Sequence, residues 1–285
     1  MHDTRPNQEH YSFANAPVPD EIPDASLAFL KAYTGEQNLN ALKERVFDIW
    51  RESRERLHVY KCVQTLMFLE PRITKHSLYP TILQSFQQAQ KSNLPPPRIL
   101  DAGCAYGTDV RALIHHGVPA SQIAASDLHD GYWKLGQRLY NDSERIHAVK
   151  TTFGDMAVPA GAVGAVEASS IEPLTYIAAS AVLHVFSAAQ CEAFLRRILS
   201  LLEFKGIFLG TCVGALQEGE WRRGRANEGN AGSVVRYLHS AKSLKALMEQ
   251  IGFVDVKVES HGPEDPTASD DPVKKIWIEF QGKKP

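Results

Sequence analysis

Two aspartates, Asp101 and Asp127, stand at the ends of short apolar runs and could bind a ligand that carries hydroxyl groups or positive charge. The turn after Asp101 contains Gly103 and Gly107, and a helical pattern follows it. The order strand, glycine turn, helix, strand, acid is typical of a nucleoside-binding βαβ unit. Glycine lets the backbone approach a ligand closely, because a Cβ would collide with it. The acid after the second strand can accept hydrogen bonds from ribose hydroxyls.

The composition of the turn distinguishes between nucleosides. Cys104 and Ala105 break the dinucleotide fingerprint Gly-x-Gly-x-x-Gly. The string from Asp101 to Gly107 instead resembles the acidic-loop motif of class I S-adenosylmethionine-dependent methyltransferases, with Ala105 in place of the usual middle glycine. That cofactor carries a sulfonium and an ammonium group and no phosphate, so an acid near the loop attracts it. The resemblance implies S-adenosyl-L-methionine as the cofactor, against an ordinary strand-turn-helix corner as the alternative.

The resemblance and the ends of the predicted strands together indicate the cofactor contacts. In the resembled family an acid after the third strand bonds the adenine amino group and the next side chain packs on the ring. The ring of Tyr106 could shield the sulfonium or could pack in a core. Ser180 lies near the carboxyl end of the fourth strand, where open α/β sheets bind ligands. The predicted cofactor-binding residues are Asp101, Ala102, Gly103, Tyr106, Asp127, Leu128, Gly154, Asp155, Met156 and Ser180.

Two histidines and one arginine-rich segment are candidates for the acceptor side. His184 follows the fourth strand and His239 precedes a helix, and each could be a base, a hydrogen-bond donor or a structural residue. Residues 218–233 are polar and glycine-rich and form either a lid or a solvated loop. Residues 236–239 are a further candidate for the wall of the acceptor site. As a lid, the segment would hold an acidic, apolar acceptor. The predicted substrate-binding residues are Trp221, Arg222, Arg223 and Arg225.

Alternating hydrophobic patterns predict the elements that must position these residues. Strands are predicted at residues 98–101, 123–127, 149–155, 174–182, 206–213, 253–259 and 275–281. Helices between them are predicted at residues 108–116, 132–141, 188–202 and 240–251. The fold class is therefore α/β, with a doubly wound, seven-stranded, mostly parallel sheet of Rossmann-like methyltransferase type. Four further helical segments at residues 27–33, 39–57, 63–72 and 79–92 form an N-terminal extension.

The proline run at residues 95–97 is a stiff linker that predicts a boundary. Residues 1–96 are an N-terminal arm and helical cap, and residues 97–285 are the cofactor-binding domain.

Bulk properties limit the class of protein. The chain has 285 residues, 44% of them hydrophobic, and a formal net charge of −2, which offers no basic excess for nucleic acid or an anionic membrane. The four cysteines show no paired spacing, so we expect no zinc site and no disulfides. The polar first residues lack a secretory signal and no apolar run is long enough to span a membrane. We expect a cytoplasmic protein with no bound metal whose partner is a small-molecule acceptor.

Outer motifs extend the resemblance to one fungal group of small methyltransferases from meroterpenoid and related secondary-metabolite pathways. They include residues 131–136, 181–184 and 237–240. This resemblance implies O-methylation, often of a terpenoid carboxylate, and homodimers in some members. The alternatives are a phenol O-methyltransferase that uses His184 or His239 as base, and a non-catalytic methyltransferase-like regulatory protein. A nicotinamide-dependent oxidoreductase is disfavoured by Cys104 and Ala105.

Overall fold

The computed structural model describes residues 21–57, 60–158, 163–166, 173–222, 235–263 and 274–285. The helices are α1 Ala28–Thr34, α2 Leu39–Arg56, α3 Lys61–Gln64, α4 Tyr79–Ser92, α5 Thr108–His115, α6 Gly131–Tyr140, α7 Ala188–Leu201 and α8 Ala241–Ile251. The strands are β1 Ile99–Ala102, β2 Ile123–Asp127, β3 Lys150–Phe153, β4 Leu174–Ser180, β5 Leu202–Ala215, β6 Gly219–Arg222, β7 Val235–Leu238, β8 Val254–Pro263 and β9 Lys275–Lys283.

The main sheet has seven strands in the order β3-β2-β1-β4-β5-β9-β8. The first five of these pair in parallel, whereas β9 is antiparallel to both of its neighbours. The predicted doubly wound, mostly parallel sheet with helices before it is therefore confirmed. The chain order reverses between β1 and β4, which is the place where open α/β sheets bind ligands beyond the carboxyl ends of their strands.

Local sequence signals account for several helix ends. Ser187 accepts a hydrogen bond from the backbone of Gln190, whose side chain in turn accepts one from the Ser187 backbone, and this reciprocal cap starts α7. Ser240 and Ser243 cap α8 in the same way. Helix α8 ends at Gly252, which adopts the left-handed conformation with φ 116°.

The structure corrects the predicted helix over residues 63–72. Only the short helix α3 forms, and single 3₁₀ turns follow at Met67–Leu69 and Ile73–Lys75. Leu66 has φ 58°, a left-handed conformation that a continuous α-helix cannot contain. Backbone amides at these turns, those of Arg72 and Ile73, donate hydrogen bonds in the candidate site described below.

A second difference concerns residues 218–233, for which the sequence predicted a lid or loop. Residues Gly219–Arg222 instead pair with Val235–Leu238 in a separate antiparallel ribbon, in which Trp221 is the register partner of Arg236. Residues 223–234, which include Arg223 and Arg225, lie outside the described residues, and so does the side chain of Arg222.

The N-terminal helices share hydrophobic clusters with the sheet domain. Buried side chains of α1 and α2 pack with Tyr106, Tyr132 and Leu139, while those of α4 pack with residues of β1, α5 and β2. The Nε2 atom of His76 lies 3.1 Å from the carbonyl oxygen of Phe280. This contact links the N-terminal extension to β9. Among the described helices, none is long and apolar enough to cross a bilayer.

Candidate cofactor and acceptor site

The loop between β1 and α5 wraps around the end of β2. The backbone amides of Gly103 and Cys104 both donate to the carbonyl oxygen of Ser126, at 2.7 and 3.0 Å. The next amide, that of Ala105, donates to the Oδ2 atom of Asp127 at 2.8 Å. The two motifs that the sequence separates by a helix are therefore one hydrogen-bonded unit.

Three residues of this loop have left-handed backbone conformations. Gly103 has φ 84°, Ala105 has φ 44° and Gly107 has φ 69°. Alanine at the middle position pays a steric cost that the glycine of the resembled motif avoids, on the order of 1–2 kcal/mol. The loop keeps the shape expected of a glycine-rich turn although one glycine is missing.

The reason for glycine at these positions differs from the prediction. A Cβ at Gly103 would lie inside van der Waals contact with the γ2 methyl group of Val182, which belongs to the chain itself. A Cβ at Gly107 would lie 2.6 Å from both the Arg111 guanidinium and the Trp133 ring. A Cβ at either glycine would thus collide with the protein itself, in addition to any collision with a ligand.

Three carboxyl groups converge beside the loop. Asp101 is 3% exposed, and burial together with the charges of Asp109 and Asp127 raises its pKa well above the usual value. Burial also raises the pKa of Asp127, although the amides of Ala105, Leu128 and His129 donate to its carboxylate and oppose this effect. We call Asp101, Asp109 and Asp127 the acid cluster.

Asp109 belongs to this cluster but was not predicted as a site residue. It lies in the first turn of α5, where the sequence suggests only a favourable interaction with the helix dipole. Its Oδ1 atom accepts the backbone amides of Arg72 and Ile73 at 2.6 and 3.1 Å. It also forms a hydrogen bond with the side chain of Ser180, so this predicted cofactor contact is engaged with the acid cluster.

The acid cluster fits the cofactor that the loop motif implies. Buried carboxylates that repel one another are stabilised by a bound cation, and a sulfonium and an ammonium group supply positive charge. A pyrophosphate would add negative charge to the same place. The carboxylate of Asp127 also keeps lone pairs that can accept hydrogen bonds from ribose hydroxyls.

The end of β3 joins the same edge of the sheet. The amide of Gly154 donates to the carbonyl of Asp127 at 2.9 Å, and Leu128 donates its amide to the Asp127 Oδ1 atom at 2.7 Å. Asp155 accepts a hydrogen bond from the amide of Ala157 at 2.7 Å through one carboxylate oxygen. Its other carboxylate oxygen can still act as an acceptor. Met156 is buried in the main core together with Ala102, so its side chain packs against the protein.

Tyr106 does not cover the loop as one reading of the sequence suggested. Its side chain is 1% exposed and stacks on Phe68 with ring centroids 4.2 Å apart. Its hydroxyl lies 2.5 Å from the Ser53 hydroxyl of α2. Of the two alternatives that the sequence left open, these contacts favour packing, and they join the loop to the helical extension.

Both candidate histidines are hydrogen-bonded to the end of β5, and the backbone carbonyl of His239 accepts the amide of Ala215 at 3.0 Å. The Nδ1 atom of His184 accepts the amide of Val213 at 3.3 Å, and burial, with smaller effects from nearby cations, lowers its pKa to about 3. His239 is 7% exposed, and burial lowers its pKa to about 4 despite the opposing charge of Glu218. At neutral pH both rings are uncharged and weakly basic.

Of the four predicted substrate contacts, the structure describes the side chain of Trp221 alone. Its ring lies 4.6 Å from the Lys275 ammonium and packs against Val213, Ala215 and Leu238. Trp277 packs on the same small cluster. The sequence offered no reason to associate Trp277 with the site, because it lies more than fifty residues further along the chain.

Residues 74–258 match a family model described as a methyltransferase domain. The relatives include the O-methyltransferase phiE of a fungal species, 27% identical over 70% of this chain and 62% of that protein. Methyltransferase adrK of Penicillium roqueforti is 28% identical over 85% of this chain and 80% of its own length. The asnovolin E/chermesin D methyltransferase nvfJ of Aspergillus novofumigatus is 26% identical, covering 67% and 64%. The chain thus spans less than two thirds of the length of phiE and of nvfJ.

Among solved structures, an S-adenosylmethionine-dependent methyltransferase from Mesorhizobium loti is similar to this chain. The TM-score is 0.47 at 15% identity, and the alignment covers 74% of this chain and 99% of the other.

Proposed function

We propose a function from the premise that this chain belongs to the methyltransferase-domain family that residues 74–258 match. It is an S-adenosylmethionine-dependent O-methyltransferase that acts on a small apolar acid, a carboxylate of a terpenoid or meroterpenoid intermediate in fungal secondary metabolism. The observation that supports binding of the methyl donor is the acid cluster beneath the loop after β1. The fungal relatives support methyl transfer, and one of them is named as an O-methyltransferase, while the carboxylate and the terpenoid skeleton are our proposal.

The cofactor supplies an electrophilic methyl group on a positively charged sulfur. In this proposal Asp127 accepts hydrogen bonds from the ribose hydroxyls, and Asp101 and Asp109 supply negative charge for the cationic end. Hydrogen bonds from the backbone amides of the loop to Ser126 and Asp127 hold this arrangement in the absence of ligand. Preorganised charge of this kind avoids reorganisation during the reaction.

A carboxylate acceptor agrees with the properties of the two histidines. A carboxylic acid is ionised at neutral pH, so its oxygen attacks without a general base. The new C–O bond forms as the C–S bond breaks, and the electron pair of that bond remains on sulfur. A phenol would require a base, and burial makes both His184 and His239 weakly basic.

Because of its low pKa, we propose a role other than general base for His184. Its Nδ1 atom accepts the Val213 amide, so the neutral ring carries its proton on Nε2 and can donate from that atom. We assign His184 to orienting the acceptor. His239 keeps a buried Nε2 atom without a hydrogen-bond partner among the described residues and remains a second candidate for this role.

The remaining expectations are part of the same proposal. The division into a helical cap at residues 1–96 and a methyltransferase domain at residues 97–285 is one of them, with the shared cluster around Tyr106 and Tyr132 as the contact between the two. A cytoplasmic location and a homodimer are the others. Light scattering of the purified protein measures the dimer.

The test has two stages. Calorimetry with S-adenosylhomocysteine measures binding at the donor side, and we expect one site per chain. Transfer of a labelled methyl group is then measured on matched apolar carboxylic acids, phenols and alcohols, and acids should be the preferred acceptors. Absence of cofactor binding would overturn the whole proposal. Transfer to phenols alone would overturn the carboxylate, and binding without transfer to any acceptor would favour a regulatory protein.

A further inference from the structure

An aromatic and cationic surface lies beyond the carboxyl end of β5, next to the acid cluster. Trp221 of β6 and Trp277 of β9 pack against the same buried residues, Val213, Ala215 and Leu238. Both tryptophans are partly exposed, so each keeps part of its ring available to a ligand. Indole rings present large apolar area at low entropic cost, which suits a rigid hydrocarbon skeleton.

Cationic side chains accompany both rings. The Arg72 guanidinium carbon lies 5.0 Å from the centroid of the Trp277 ring, and the Lys275 ammonium lies 4.6 Å from that of Trp221. Arg236 is the direct cross-strand partner of Trp221. Directly paired residues of an antiparallel ribbon project from the same face, so Arg236 stands beside this ring.

Backbone contacts join this surface to both halves of the proposed reaction. Trp277 is the register partner of Val213, whose amide donates to His184. Tyr237, the neighbour of Arg236, donates its amide to the carbonyl of Phe186 at 2.8 Å, close to the same histidine. The amide of Arg72 donates to Asp109 of the acid cluster at 2.6 Å.

The electrostatics of His184 agree with this placement. After burial, the largest influences that lower its pKa are the positive charges of Arg236, Arg72 and Lys61. These residues come from three separate parts of the chain, and the charge of each lowers the pKa of the same imidazole. The guanidinium of Arg72 makes no ion pair within 4.0 Å among the residues that the structure describes.

We propose that Arg72 and Arg236 bind the carboxylate of the acceptor, while Trp221 and Trp277 hold its apolar skeleton. This inference rests on the proposed function and names its acceptor site. Guanidinium groups suit the task because their planar donors match a carboxylate and stay charged at all physiological pH values. The backbone of Arg72 contacts Asp109 of the acid cluster, and its guanidinium lies over Trp277, the register partner of the Val213 that binds His184. A carboxylate bound by Arg72 would therefore be held near the proposed cofactor site.

The experiment compares an acid with a neutral molecule of the same shape. The probes are 1-naphthoate and 1-naphthalenemethanol, with farnesoate as a terpenoid acid, and their binding is measured by calorimetry in the presence of S-adenosylhomocysteine. The wild type should prefer the acids. Arg72→Met and Arg236→Met should each weaken acid binding at least about tenfold, the typical value of a hydrogen bond to a charged group. Binding of the alcohol and of S-adenosylhomocysteine should change little.

Conservative variants and a control keep the test specific. Arg72→Lys and Arg236→Lys should recover part of the acid preference, because they restore the charge without the planar donors. Arg196→Met removes an exposed arginine that pairs with Glu192 on α7 and should leave all constants unchanged. In turnover, the Met variants should raise KM for acids more than they lower kcat.

Three outcomes would overturn the inference. The first is equal affinity of the wild type for the acids and the alcohol, and the second is unchanged acid binding by both folded Met variants. The third is loss of acid binding only in Arg223→Met or Arg225→Met, which would put the clamp in the segment that the sequence indicated. All three are compatible with methyl transfer to acids, whereas failure of the proposed function is seen as absence of that transfer.

Discussion

The Oδ2 atom of Asp127 accepts the backbone amide of Ala105 at 2.8 Å. This bond ties the last residue of β2 to the middle of the loop after β1, at the position where alanine adopts a left-handed conformation. A change at Asp127 therefore affects the ribose contact and the shape of the loop together.

Asp127→Ala should weaken binding of S-adenosylhomocysteine at least about tenfold, because hydrogen bonds to a charged group contribute about 1.5–3 kcal/mol each. Calorimetry measures the loss. Asp130→Ala, which removes an exposed acid paired with Lys134, is the matched control and should bind as the wild type does. An unchanged dissociation constant in Asp127→Ala would remove this residue from the site.

Gly103→Ala should destabilise the free protein, because the new Cβ meets Val182 and the φ of 84° is unfavourable for alanine. Gly117→Ala separates the two causes, since Gly117 has φ 93° but no atom near its Cβ position. We expect a loss of about 1–2 kcal/mol at Gly117 from backbone strain alone, and about 1–3 kcal/mol more at Gly103 from overpacking. Chemical denaturation measures both, and equal losses would contradict the steric explanation.

Arg111→Met should lower the free energy of unfolding by about 3–5 kcal/mol, because it leaves a buried carboxylate without its partner. Arg111 binds Asp142 through two bonds of 2.7 and 2.8 Å, and both side chains are buried. Its Nη1 atom also donates to the carbonyls of Tyr106 and Gly107, at 2.7 and 3.1 Å. Cofactor affinity should fall as well, since the loop loses this support.

The control for this change is again the surface variant Arg196→Met, whose exposed pair contributes little to stability. A loss at Arg111 no larger than that of the control would show that the buried pair does not hold the loop. Denaturation curves for the two variants and calorimetry with S-adenosylhomocysteine provide the comparison.

His184 should make the free protein less stable as the pH falls below its ordinary pKa of 6.5. Because burial lowers the folded pKa to about 3, the unfolded chain binds a proton that the folded chain excludes between these values. The stabilisation is complete above pH 6.5 and is lost as the pH falls toward 3. The positive charges of Arg236, Arg72 and Lys61 also lower the pKa of the ring and add to this effect.

The size of this effect is measured by denaturation at pH 7 and pH 5. His184→Gln should lose less stability than the wild type over that interval, by about 1–2 kcal/mol. The acid cluster contributes with the opposite sign, because its raised pKa values favour the folded state at low pH, and it is present in both proteins. An identical pH dependence in the two proteins would show that His184 does not carry the effect.

The seven strands of the main sheet, the helices between them and the loop motif after β1 could be predicted from the sequence, because apolar runs and helical periodicity are local properties. The β6–β7 ribbon and the turn within residues 63–72 were not predicted. The strand between residues 123 and 127 was predicted with the bounds that the structure shows. Asp101, the loop and Asp127 were recognised because the order strand, glycine turn, helix, strand, acid is contained in one short stretch of sequence.

The distant residues that meet at the site could not be predicted, because their contacts form between parts of the chain that are far apart in sequence. Asp109 looks like an ordinary residue of a first helical turn until the amides of Arg72 and Ile73 are seen to reach it. Arg72 and Trp277 are far apart in the chain, and the antiparallel insertion of β9 beside β5 brings them together. The sequence could not decide between the two alternatives for Tyr106 for the same reason: its partners, Phe68 and Ser53, belong to the helical extension, and long-range packing leaves no local signal.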